Sequence, residues 1–128
     1  MKTKNDFDRA MIGFKFAKQK HELYVDLLYN RLAKSGKYDV LETHVQYPTD
    51  VNPIGECDIL GIIFHDKKNY INPEDVELHY YEVKTSKKHQ RYGVKQLMRF
   101  KKYFKKKGYS KLHGFLYIGD DDLLIQVF

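Results

Sequence analysis

Over the first part of the chain, apolar positions return at three- and four-residue steps. Phe14, Ala17, Val25, Leu28 and Leu32 fall on one side of a helix covering residues 7–32, the pattern of a helix with one face toward a core. Asn5 or Asp6 can cap its start, and Ser35-Gly36 marks its end. Gly13 lies inside the pattern and costs about 1 kcal/mol relative to alanine, which favours a start near that residue. The period then changes to two. Within residues 38–47, Leu41, Thr43, Val45 and Tyr47 share one side of a strand, and Pro48 closes it. Residues 57–64, CDILGIIF, are nearly all apolar, as in a central strand covered on both faces, with Asp58 as the one charge. Turn-forming residues at 65–69 and 72–75 separate this segment from a third strand at 78–84. A basic helix at 88–107 follows and stops at Gly108, and strands at 112–118 and 123–128 are joined by the turn Gly119-Asp120-Asp121-Asp122. The order α-β-β-β-α-β-β predicts an α/β fold with a mixed central sheet flanked by helices.

Composition narrows the picture. A chain of 128 residues, 42% apolar and 15% aromatic, has room and material for one compact domain over residues 1–128. No run approaches the roughly 18–20 apolar residues of a membrane helix, and Met1-Lys2-Thr3-Lys4-Asn5 is not followed by the apolar segment of a secretory signal. A cytoplasmic protein is expected. The single Cys57 leaves no partner for an internal disulfide and no multi-cysteine zinc site, so any metal is held by oxygen or histidine. His44, His65, His79 and His89 show no metal-ligand spacing along the chain and read as ordinary residues.

The net charge of +6 is unevenly placed. Residues 84–111 carry twelve Lys and Arg and no Asp or Glu, which leaves eleven bases against seventeen acids elsewhere. A stripe of one sign builds a local positive potential, and a phosphate backbone is the partner it suits best. Lys87, Lys88, Arg91, Lys95 and Arg99 lie on this stretch, and Gln96 shares a helical stripe with Tyr92, Arg99 and Tyr103, facing a cleft or DNA, while Leu97, Phe100 and Phe104 form the core stripe.

Asp58 in an apolar strand needs a cation, because an unpaired buried carboxylate costs several kcal/mol. Glu82 and Lys84, two apart on the next strand, share one face of the sheet. If the strands are neighbours, three charges converge. Two carboxylates with an adjacent carbonyl suit Mg²⁺ or Mn²⁺, and Lys84 beside them can orient or deprotonate a water.

Gly55-Glu56-Cys57-Asp58-Ile59-Leu60 and Tyr81-Glu82-Val83-Lys84-Thr85-Ser86 together resemble the aspartate strand and the E-x-K strand of the PD-(D/E)XK nucleases. The resemblance implies a restriction-endonuclease-like core, metal ligation by Asp58 and Glu82, and activation of water by Lys84. It also implies a fourth acid on the first helix, for which Glu22 is the best match and Asp26, one turn away, the rival; whether Glu56 joins the ligands stays open. The RecB-like branch carries a glutamine followed four residues later by tyrosine, and here Gln96 is followed by Phe100. Cys57 stands where the superfamily's name has proline. The implied activity is Mg²⁺-dependent hydrolysis of DNA. A branched substrate such as a Holliday junction and a homodimeric state follow from similarity to small archaeal and viral junction resolvases. A non-cleaving nucleic-acid-binding module on the same fold is the alternative, with Glu82 and Lys84 as a structural ion pair. An accessory subunit that binds an acidic protein surface is a third reading.

Overall fold

The computed structural model describes residues 4–48, 54–68 and 72–128, with side chains from Phe16 onward. Helix α1 (Lys4–Ser35) runs straight through Gly13 rather than starting there. The 32-residue helix is roughly 48 Å long, and it lies on the sheet through Val25 and Leu28, both buried, and the half-buried Leu32. Ala17 is exposed instead of belonging to this stripe, and Phe14 lies outside the described side chains. Gly36, at φ 67°, supplies the left-handed residue that ends the helix.

Five strands form one mixed sheet in the order β1 (Val40–Tyr47), β2 (Gly55–Phe64), β3 (Val76–Lys84), β4 (Lys111–Ile118), β5 (Leu123–Gln126). The first three make an antiparallel meander. Helix α2 (Gln90–Lys106) then crosses over so that β4 lies parallel to β3, and β5 folds back on β4. Strand β3 is central and nearly all buried, because alternate side chains feed two cores. Leu78 and Tyr80 pack with Leu97 and Phe100 under α2, while Tyr81 and Val83 pack with Val25 and Leu28 under α1.

The expected shared side in β1 is not kept. Leu41 packs toward α1, whereas Val45 and Tyr47 pack toward α2. Strand β2 changes phase at the same level, with Ile59 toward α1 but Cys57 and Leu60 toward α2. The cause sits between them. His44 takes φ 54°, and the pairing steps from Thr43↔Ile59 to Val45↔Cys57 without a pair at His44 and Asp58. A left-handed residue rotates the backbone and re-aims the side chains that follow.

The acidic turn anchors α1. Asp120 meets Lys20 at 2.7 Å and the Tyr24 hydroxyl at 2.6 Å, and Asp122 meets Arg31 at 3.1 Å. Gly119 is required there, since a Cβ would lie 2.1 Å from the Tyr24 ring. Phe16, Leu23 and Leu27, spaced seven and four residues apart on α1, remain 67%, 55% and 49% exposed. Among the described residues, no helix is long and apolar enough to cross a membrane.

Candidate functional site

The phase change opens a fork between β2 and β3. Their ladder ends at Ile59↔Tyr81, and beyond it the Asp58 carboxylate accepts the Val83 N–H at 2.8 Å, standing in for a strand-to-strand bond. The cation paired with Asp58 is His21, not Lys84. Its Nε2 lies 3.5 Å from Asp58 Oδ2 and 3.0 Å from the Val83 carbonyl oxygen, and its Nδ1 is 3.4 Å from Glu22 Oε1. The bond to Asp58 outweighs partial burial and raises His21 from 6.5 to about 9, so the ring is an imidazolium at neutral pH.

Glu82 and Lys84 share a face as the period of two requires, and Lys84 Nζ lies 3.3 Å from Glu82 Oε1. Glu82 is 2% exposed. Its other oxygen meets the Tyr80 hydroxyl, which also reaches the Glu56 carbonyl at 3.0 Å. Burial, reinforced by the nearby Asp58 charge, pushes the Glu82 carboxyl up to about 8, so it holds a proton at neutral pH. Lys84 is further held 4.9 Å above the Tyr92 ring. Helix α2 closes over it at Gly93, where a Cβ would come within 3.3 Å of Lys84 Cγ and 2.7 Å of Leu116 Cδ1.

Glu22 joins this constellation through His21 and also meets His44 Nε2 at 2.9 Å; Glu56 lies 3.4 Å from the other nitrogen of the same ring. Asp26 is exposed and takes no part in these contacts. His44 is therefore a shared partner of two acids rather than an ordinary strand residue. On α2, Gln96 Oε1 is the one buried side-chain polar atom without a hydrogen-bond partner among the described residues. Lys87, Lys88, Arg91, Lys95 and Arg99 are exposed, and no ion pair among the described residues occupies them. Tyr103 departs from the expected cleft-facing stripe, packing 5.2 Å from Tyr47 in the core. Lys111 also leaves the stripe, since its ammonium donates to the Glu74 carbonyl.

The sequence reading missed His21. It lies four residues before Val25 on the sheet-facing line 21, 25, 28, 32, whereas Glu22 is one step off that line, and this spacing was the available signal. It also missed a convergence of His65, His79 and His113 on Glu77 near the start of β3. Comparison of the chain with protein-family models, curated proteins and solved structures finds no match.

Proposed function

We propose that the chain is a Mg²⁺-dependent DNA nuclease on a restriction-endonuclease-like core of the PD-(D/E)XK type. One observation carries the reading: Glu82 and Lys84 stand side by side on β3, and Asp58 from the neighbouring strand is bonded to the backbone of Val83 between them. The donor set fits a hard divalent cation, with two carboxylates and the Val83 carbonyl within one fork. A positive ring, His21, lies against two of these oxygens. The fork thus favours positive charge. Asp58, Glu82 and the Val83 carbonyl would hold the ion, with His21 and Glu22 at its border. When bound, a divalent cation lowers the pKa of a water and neutralises charge on the scissile phosphate.

The protein's own groups do the rest. Lys84, fixed by Glu82 and Tyr92, points an ammonium at the site and orients the attacking water. Glu82 would hold the cation as a carboxylate, its proton lost to solvent. Lys87, Lys88, Arg91, Lys95 and Arg99 seat the phosphate backbone along α2 and the turn before it, while the Gln96 side-chain oxygen is buried away from that surface. The exposed α1 stripe of Phe16, Leu23 and Leu27 supports a homodimer, and two such sites in one particle suit a branched DNA.

The test is cleavage of linear, single-stranded, nicked and four-way-junction DNA in Mg²⁺, Mn²⁺ or EDTA. Metal-dependent cutting is expected from the unaltered protein and not from Asp58→Ala, Glu82→Ala or Lys84→Ala, each of which still shifts DNA on a gel. DNA that is shifted but never cut in any metal would replace this reading with the non-cleaving module.

A further inference from the structure

We propose that Glu77, His79 and His113 form a binding site for a divalent transition-metal ion of the zinc class, distinct from the fork that holds Asp58 and Glu82. The sheet builds this site directly. Glu77 and His79 are two apart on β3 and share its α1-side face, and the parallel register sets His113 of β4 opposite His79. His65, just past the end of β2, is tied down by its N–H on the Asp75 carbonyl at 2.8 Å. Two adjacent strands therefore supply the three ligands, with His65 behind them at the end of β2.

Donor atoms of Glu77, His79 and His113 all lie within 4.8 Å of one another. Glu77 Oε2 is 2.5 Å from His79 Nε2 and 3.8 Å from His113 Nε2. Around a tetrahedral ion with bonds of about 2.0–2.1 Å, ligand atoms stand roughly 3.3–3.5 Å apart, so side-chain adjustments of about 1 Å complete the geometry. His65 Nε2, at 2.8 Å from Glu77 Oε1, holds the far oxygen of the carboxylate and aims the near one.

The nitrogen count favours an ion over a simple salt bridge. Three imidazoles face one carboxylate, more nitrogen donors than a salt bridge to Glu77 needs, and borderline cations prefer such donors. His79 is 3% exposed. Behind it, the Tyr38 hydroxyl lies 2.8 Å from Nδ1 and also meets the Tyr81 hydroxyl. Tyr38 can take the Nδ1–H of His79 while donating to Tyr81, and in that tautomer the Nε2 lone pair is left for a metal. Phe115, stacked 5.6 Å from the His79 ring, keeps water from that side. The two sites are separate, since Glu77 precedes Glu82 by five residues, roughly 16 Å of strand, and points to the other face.

The experiment titrates the chelator-stripped full chain with Co²⁺ alone, following visible d–d absorption, with Zn²⁺ as competitor. Intense four-coordinate bands at one Co²⁺ per chain are expected, displaced by Zn²⁺ and unchanged in the double variant Asp58→Asn, Glu82→Gln. His113→Asn, at a half-exposed position, should keep the melting temperature and lose affinity by more than about tenfold; His79→Gln is the second ligand variant. Absence of the bands in the unaltered protein overturns the proposal. So do bands that survive both histidine substitutions, or bands that vanish in the Asp58/Glu82 double variant while the nuclease test stands or falls on its own.

Discussion

Replacing Glu82 by glutamine should stabilise the metal-free protein, and by more the higher the pH. Glu82 is raised from 4.5 to about 8 by burial and by the Asp58 charge. Between those values the folded protein holds a proton that the unfolded chain has released, so stability is fully present below about 4.5 and is lost as pH rises through about 8. At about 1.36 kcal/mol per pH unit for one proton, the whole effect is roughly 5 kcal/mol. Glutamine imitates the protonated carboxyl, accepting from Tyr80, but its amide nitrogen meets the Lys84 ammonium, so about 3–5 kcal/mol is the expected gain at pH 8.5. His21, raised from 6.5 to about 9, adds a slope of the same sign in both proteins and cancels in the difference. Urea denaturation in EDTA from pH 4.5 to 9 measures this. The two proteins should be nearly equal at the acid end and diverge steadily above it. Parallel curves, or a variant less stable than the parent at pH 8.5, would refute the argument that Glu82 is ionised at a cost. Mg²⁺ should recover stability in the parent and leave the variant unmoved.

Alanine at Lys87, Lys88, Arg91 and Lys95 together should lower the slope of log K against log salt for duplex DNA by about 3–4, as read by fluorescence anisotropy; an unchanged slope would place the DNA elsewhere. Phe100→Ala empties a fully buried position against Tyr47, Tyr80 and Phe104 and should cost about 3–5 kcal/mol of unfolding free energy, measured by urea denaturation. Leu23→Glu with Leu27→Glu should convert a sedimenting dimer to a monomer at unchanged helicity, and a monomeric parent would remove the α1 stripe from consideration.

The elements were legible because each carries its own period. Cys57 to Phe64 could only be a covered strand, and Gln96, Leu97 and Phe100 could only lie on one basic, amphipathic helix ended by Gly108. Glu82 and Lys84 were legible for the same local reason, two residues apart on a strand. The phase change in β1 was not, because the left-handed turn at His44 is a backbone event that a β-capable histidine does not announce. Asp58 was rightly seen to need a cation, but which one depended on how α1 lies across β3, and that is fixed by Val25, Leu28 and the distant Asp120 and Asp122 contacts. The histidines around Glu77 were opaque for a related reason. They lie on β3, on β4 and just past β2 with no common spacing, and only the parallel register of β3 with β4 sets His79 and His113 face to face.

The crossover through α2 also divides the molecule in time. Asp58, Glu82 and Lys84 all precede α2, and the antiparallel meander they belong to is local in sequence, so their strands can pair while the rest of the chain is still emerging from the ribosome, with His21 joining once Asp120 and Asp122 seat α1. His113 lies beyond the crossover. Until β4 arrives, β3 is an open edge whose backbone and tyrosines are free to pair with another nascent chain. The next segment to emerge is α2, the most cationic part of the protein. Its like-charge repulsion keeps two such intermediates apart during the interval when β3 has no neighbour. The positive charge gathered on α2 therefore also guards the central strand while the fold is being made.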